Sequence, residues 1–311
     1  MNFGYIRQHW ETVFVYLILF ALIVLVGATN HLFLSSRNIQ MVLLAAVALG
    51  LASFGQTFAI LSEGIDLSVG SVISLTTCLT AGLINGRDQM VIPVVALVIV
   101  LALLIGFANG FLIVKTGVSP LIVTLGMMSI VQGAALIYAI GPIGEISPAY
   151  YFLAWGKVGP FSFPVLLFGI VTVILIYVLK RTTFGRYVYA LGGNEEVARL
   201  SGIHTGRIRI YVYMLCSLMA ALSGLFLTSR MGMGEPVVGE HFMFESIVPV
   251  LVGGTSFLGG VGGIVGTLAG VLILTVLQNA VNLFGISTYW LWIVEGGIIV
   301  SAAAFYLKEK I

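Results

Sequence analysis

The chain has 311 residues, of which 59% are hydrophobic and only 8% charged, with 12 acidic and 14 basic side chains. A soluble domain carries about 25% charged residues, so there are too few here to coat a water-facing surface, and the mean hydropathy of +1.13 agrees. A cytosolic enzyme, a secreted disulfide scaffold and a disordered chain are excluded, a formal charge of +2 is too small to draw nucleic acid, and an all-α polytopic membrane protein remains.

A spanning helix needs about 20 mostly apolar residues. The first such run, Thr12–Ala28, is longer than the apolar region of a signal peptide and lacks a small-residue cleavage site, so it reads as a first spanning helix. Ile39–Leu61, Leu67–Ile84, Val91–Val114, Pro120–Ile140, Phe163–Leu179 and Ile208–Ser229 follow, and Ile264–Phe284 and Tyr289–Leu307 close the series. Phe242–Val252 is too short to cross alone and runs into glycines, which predicts a broken or re-entrant segment within 242–263. About ten transmembrane helices result, in a single transmembrane domain over residues 1–311. The runs are apolar on all sides, which excludes the alternating strands of a β-barrel.

The bases orient the bundle. An inside N-terminus and ten crossings place Arg7, Lys115, Lys180, Arg181, Arg186, Arg199, Arg207, Arg209, Lys308 and Lys310 inside, against Arg37, Arg87, Lys157 and Arg230 outside. Cytoplasmic loops carry the excess of bases, so both termini are expected in the cytoplasm.

Polar chemistry concentrates in three places. The stretch 180–209 holds eight of the charged residues, Lys180, Arg181, Arg186, Glu195, Glu196, Arg199, Arg207 and Arg209, and is the only sizeable loop on the inner side. Within it Asn194 can cap a two-turn helix, Glu195 and Glu196 suit its positive first turn, Arg199 its last, and Gly202 can close it. So short a helix is unstable alone; on spacing, a docked helix and a solvated linker stand equal. In SEGIDLSVGSV, Ser62–Val72, Asp66 can cap a helix beginning at Leu67. An acid beside a spanning segment also raises a polar pathway, and the cap is the stronger of the two readings. Glu63 can simply face cytoplasmic water. GGTSFLGGVGG, Gly253–Gly263, is glycine-rich without the G-x-x-x-x-G-K-[ST] pattern of an ATP-binding loop. Downstream, Gly262, Gly266 and Gly270 form a small ridge for close helix packing.

Other polar residues are isolated within apolar runs. Gln278 and Asn282 are one turn apart and share a face, and with Asn279 next to Gln278 a hydrated stripe is expected whose amides suit polyhydroxylated ligands. Gln56, Asn109, Gln132, Glu245 and Glu295 are the remainder. No metal is expected: His241 and Glu245 have helical spacing without a third ligand. Cys78 and Cys216 lie in apolar runs and read as buried thiols.

SEGIDLSVGSV, FGRYVYALGGNEEVARLSGI and VLVGGTSFLGGVGGIVGTLAG, in that order, resemble the ribose-type membrane permeases of bacterial ABC importers, over nearly the whole chain. The family usually has glycine at the position of Glu63. The resemblance implies a type II importer-like fold in the bacterial inner membrane, working as a homodimer with the sugar path between subunits. It implies a cytoplasmic ATPase partner, often a fused double cassette, which holds ATP and Mg so that the permease has no cofactor of its own. A periplasmic or extracellular sugar-binding protein is the other partner. The loop containing Asn194, Glu195, Glu196, Ala198, Arg199, Ser201 and Gly202 then corresponds to the ATPase-coupling helix, and Asp66, Ser68, Asn109, Gln278, Asn279 and Asn282 are expected along the substrate pathway. A transport subunit rather than an enzyme is implied, importing a monosaccharide or related polyol. A branched-chain amino-acid permease of the same class and an ion-coupled carrier using Glu295 are the alternatives, and an intramembrane enzyme lacks any paired catalytic set.

Overall fold

The computed structural model describes the backbone of residues 3–309 and the side chains of residues 12–302. Arg7, Lys308 and Lys310, which entered the charge count, have their side chains outside that range. Helices α1 (Phe3–Thr29), α2 (Ser36–Leu61), α3 (Val69–Ile84), α4 (Val91–Thr116) and α5 (Pro120–Tyr138) form the first half of the chain. A short helix α6 (Pro148–Trp155) and a two-stranded hairpin, β1 (Lys157–Val158) with β2 (Phe161–Ser162), lead to α7 (Phe163–Arg181). Then come α8 (Thr183–Gly193), α9 (Glu195–Leu200), α10 (Thr205–Met231), α11 (Phe242–Glu245), α12 (Val248–Val252), α13 (Ile264–Leu283) and α14 (Tyr289–Glu309). Among the described residues seven helices are long and apolar enough to cross a membrane, and Val69–Ile84, Phe242–Val252 and Tyr289–Ala302 are shorter apolar stretches.

At the centre stands α2, with every residue from Ala46 to Leu61 buried, packed on α10, α13 and α7. Its small residues allow this, since helices in lipid gain from close approach rather than from bulk. Gly106 and Gly110, one turn apart on α4, do the same: a Cβ at either would strike the α10 backbone at Tyr213–Met214 or Ile210. Phe54 of α2 stacks on Phe168 of α7 with ring centroids 5.3 Å apart. The outer helices α1, α4, α5 and α7 keep long apolar faces exposed, as lipid-facing helices do.

The break expected in 242–263 is real and begins earlier. From Gly232 to His241 the chain is not regularly helical, and it runs along α3, then turns through α11 and α12. Non-helical backbone at membrane depth survives only where protein groups satisfy it. Here the Thr77 hydroxyl accepts from the Glu235 N–H (3.3 Å) and donates to the Glu235 carbonyl (3.0 Å). The Ser74 hydroxyl accepts the Gly239 N–H (3.0 Å), and the Gln132 amide of α5 donates to the Pro236 carbonyl (2.8 Å). A side chain at Gly239 would overlap the Gly70 carbonyl, so glycine sets how near this segment lies to α3.

Several expectations need correction. The helix after Asp66 begins at Val69, because Leu67 and Ser68 are taken up in the turn that Asp66 stabilises. Gly262 is not on the glycine ridge: it precedes α13, while Gly266 and Gly270 do pack against the backbone of Gly253 and Pro249. The loop 180–209 contains a second helix, α8, whose Thr182 cap accepts the Gly185 N–H (3.2 Å) and whose Val188 and Leu191 are fully buried. Its three glycines masked the amphipathic period.

Thr77→Val removes both bonds to Glu235 and is expected to cost about 1–3 kcal/mol, read as a lower melting temperature in detergent. Thr80→Val is the control, since the buried Thr80 hydroxyl has no partner, and it should be neutral or stabilising.

Candidate functional site

Two polar structures bear on function, one on the surface of the bundle and one inside it. On the surface, α9 is capped as its sequence specifies. The Asn194 carboxamide oxygen accepts the Val197 N–H (3.0 Å), and Gly202 sits at φ +84°, in the left-handed region that ends the helix. Arg199 donates to Glu196 (2.7 Å), and that bond with its charge holds the Glu196 carboxyl below the usual carboxylate range. Arg209, at the start of α10, donates to Glu195 (2.9 Å) and ties the short helix to a long one. The Ser201 hydroxyl closes back on the Val197 carbonyl (2.9 Å).

The outward face of α9 differs from expectation at one residue. Ala198 is 2% exposed and packs into the subunit itself, so it is no contact for a partner. Helical periodicity turns Val197 and Leu200 the other way, 58% and 76% exposed. Three residues apart, the two share one exposed apolar face beside the charges. Behind α9, α8 joins it to the bundle. The Tyr189 hydroxyl donates to the Gly262 carbonyl (2.8 Å), the Gly260 N–H donates to the Leu61 carbonyl at the end of α2 (3.0 Å), and Gly192 lies so close to both that no Cβ fits.

Inside the bundle, residues 62–68 cross between α2 and α3 without helix, and a network holds them. The Gln56 amide pairs with the Asp66 backbone in both directions, Nε2 to the carbonyl (2.7 Å) and Oε1 from the N–H (3.2 Å). Thr124 of α5 donates to the Ile65 carbonyl (3.1 Å). One Asp66 carboxylate oxygen accepts the N–H (2.9 Å) and the hydroxyl (2.5 Å) of Ser68, and Asn109 of α4 donates to the Ser68 hydroxyl (2.9 Å). Asp66, Ser68, Asn109 and Gln56 are all wholly buried. Asp66 therefore closes the turn ahead of the helix rather than capping it: the N-cap is Ser68, α3 begins at Val69, and the Asp66 carboxylate bonds to Ser68. Glu63 is exposed at φ +60°, which gives a physical reason for glycine at that position.

The structure does not bring the second trio to this network. Asn279 exchanges two amide bonds with Asn38 of α2 (2.7 and 2.9 Å), Gln278 donates to Glu245 (3.3 Å), and Asn282 is exposed. The expected hydrated stripe on one face is thus divided among three environments. Gln56 and Thr124 are the members of the Asp66 network that sequence reasoning left out; both partner backbone groups, which no side-chain motif signals. Cys78 and Cys216 are free and buried, and no metal-binding group of three ligands occurs among the described residues.

A bundle of long apolar helices is the build of a transporter's membrane subunit, and the chain belongs to the family described as branched-chain amino acid transport system / permease component, whose model matches residues 38–303. It is 41% identical to the ribose import permease of Bacillus subtilis, over 94% of this chain and 91% of that one. The ribose import permease of Escherichia coli K12 is 37% identical (94% and 93%), and an L-arabinose ABC transporter permease of Azospirillum brasilense 34% (94% and 86%). No solved structure matches.

Glu63→Gly should raise stability by about 1 kcal/mol, because glycine adopts a positive φ without the steric cost other residues bear. Asp66→Asn keeps the oxygen that Ser68 uses and should change stability by about 1 kcal/mol or less. Asp66→Leu orphans the Ser68 N–H and should cost about 1–3 kcal/mol. Thermal unfolding of the purified chain in detergent measures all three; equal losses for Asn and Leu would remove the turn-closing role of Asp66.

Proposed function

We propose that the chain is the membrane subunit of an ATP-driven importer of a monosaccharide, ribose or a related sugar or polyol. The observation that carries this reading is α9, a rigid charged helix with Val197 and Leu200 bare on its outer face, on a chain whose relatives are named as sugar import permeases. Those names favour a sugar over a branched-chain amino acid. The chain crosses the bacterial inner membrane ten times, with the broken segment 232–252 counted as one crossing and both termini cytoplasmic. It is a transport subunit, not an enzyme. ATP is hydrolysed by a cytoplasmic ATPase, often a fused double cassette, and sugar is delivered by a periplasmic or extracellular binding protein. Two copies of the permease enclose the sugar path.

The geometry supports a simple mechanical route. Asn194, Glu195, Glu196, Arg199, Ser201 and Gly202 build α9, while Val197 and Leu200 seat in the ATPase. When ATP closes the cassettes, α9 moves with them, and its bond to Arg209 and its continuity with α8 carry the displacement to α10 and to the inner end of α2. Packed helices have few discrete arrangements, so the bundle switches its opening from one side to the other. Asp66, Ser68 and Asn109 hold the turn between α2 and α3 through that switch, and Gln278, with Glu245, lies toward the sugar path.

Val197→Asp with Leu200→Asp is the direct test. Each buried apolar side chain contributes roughly 1.5–3 kcal/mol, so the pair should weaken ATPase binding by about a hundredfold or more, at about 1.4 kcal/mol per tenfold. Membrane insertion should be retained, while co-purification of the ATPase and ATP-driven uptake are lost. Normal co-purification and uptake would remove the coupling assignment. The chain alone in vesicles should accumulate no ribose under a proton gradient; accumulation would establish an ion-coupled carrier instead.

A further inference from the structure

A cavity of about 420 Å³ lies between the segment leading into α11 and the face of α14, lined by Glu240, His241, Phe244, Glu245, Trp292 and Glu295. Its size falls within the roughly 300–1,000 Å³ of small-molecule sites. No lysine or arginine is among the described lining residues, and no ion pair among the described residues involves these carboxylates. An acidic side chain within an apolar helix, as Glu295 is in α14, is too costly to face lipid and marks a watered or ligand-filled space. The decisive atom is Glu295 Oε1. Glu295 is only 5% exposed, lines the cavity, and that oxygen has no hydrogen-bond partner among the described residues. A buried acceptor with nothing to accept from is expensive to maintain, and donors from a ligand would satisfy it.

The remaining walls say what kind of ligand. Glu245 takes one bond from Gln278 (3.3 Å) and retains lone pairs for another donor, since a carboxylate accepts about four. Beside the acids stands an aromatic cluster: Trp292, one turn from Glu295 on α14, packs on His241 with centroids 5.2 Å apart and is met edge-on by Tyr289 at 5.1 Å. Hydroxyl groups for the carboxylates and an apolar C–H face for the indole are united in one kind of small neutral molecule, a sugar or cyclic polyol.

We infer that Glu245, Glu295 and Trp292 form a sugar-binding station on the transport path, in which the two carboxylates accept ligand hydroxyls and the indole covers the C–H face. The inference rests on the importer reading and adds the place where the sugar pauses. Two copies facing each other across this flank would close the cavity against lipid.

The test uses the assembled transporter in vesicles, permease with its ATPase and sugar-binding protein, and ribose as the probe. Glu245→Leu with Glu295→Leu should reduce ATP-driven uptake by at least about tenfold, the equivalent of about 1.4 kcal/mol. Glu245→Gln with Glu295→Gln keeps an acceptor oxygen at each position and should stay within about threefold of the unaltered chain. Unchanged uptake by the leucine pair overturns the station. An amide pair as inactive as the leucine pair shows that the charge itself is needed and overturns a neutral ligand. A second measurement stands if the leucine pair fails to assemble. Gly296 lines the cavity with open space at its Cβ position, so Gly296→Cys should react with a charged, water-borne thiol reagent, and saturating ribose should slow that reaction by at least about threefold, as expected of a site that binds sugar. No reaction, or no protection, overturns the inference. Failure of the unaltered complex to take up any sugar with ATP would overturn the importer reading itself.

Discussion

In an apolar medium every main-chain N–H and C=O must find a partner inside the protein, and on either side of α3 this chain leaves helix with its backbone bonded to side chains. Residues 62–68 and 232–241 are both short of regular helix, and both are held by side chains whose only evident duty is to bond backbone: Gln56 and Thr124 for the first, Ser74, Thr77 and Gln132 for the second. The two segments flank α3, one before it and one along it. That helix is shorter than its neighbours, and its serines and threonines are buried rather than lipid-facing. Local irregularity, the composition of α3 and the position of the broken crossing are one solution to one constraint.

The spanning helices were legible because each is a long run of apolar residues, and a hydrogen-bonded helix is the form such a run takes in lipid. Most boundaries fell within a few residues of those read from the chain. The elements that escaped are small or hidden by glycine: α6, the hairpin at 157–162, and α8. Their formation depends on what they lie against, as Val188 and Leu191 show by being wholly buried.

At the candidate site the cap, the acids of the first turn and the closing glycine of α9 were written in the residues, since capping chemistry is local. The rotation of that helix was not. Val197 and Leu200 would ordinarily be turned inward and Ala198 left free, but close packing on the subunit admits only the smallest of the three. The partners of Asp66 were equally invisible. Asn109 lies 43 positions away in the chain and Gln56 bonds backbone atoms, so nothing in their spacing announces the meeting. Gln278 and Asn279 looked like one stripe because they share a helix, yet neighbours on a helix point roughly 100° apart, and here each found a different element.

The junction of Leu61, Gly192 and Gly260 has a further consequence. Three backbones meet there with no side chain between them. Contacts cushioned by flexible side chains can absorb a push by changing rotamer, whereas backbone against backbone has nothing to yield. The inner ends of α2 and α8 and the glycine loop thus form a stiff block, more cog than spring. A push on such a block cannot be taken up by rotamer changes, so any give must lie at its margins, where the chain turns free of this knot.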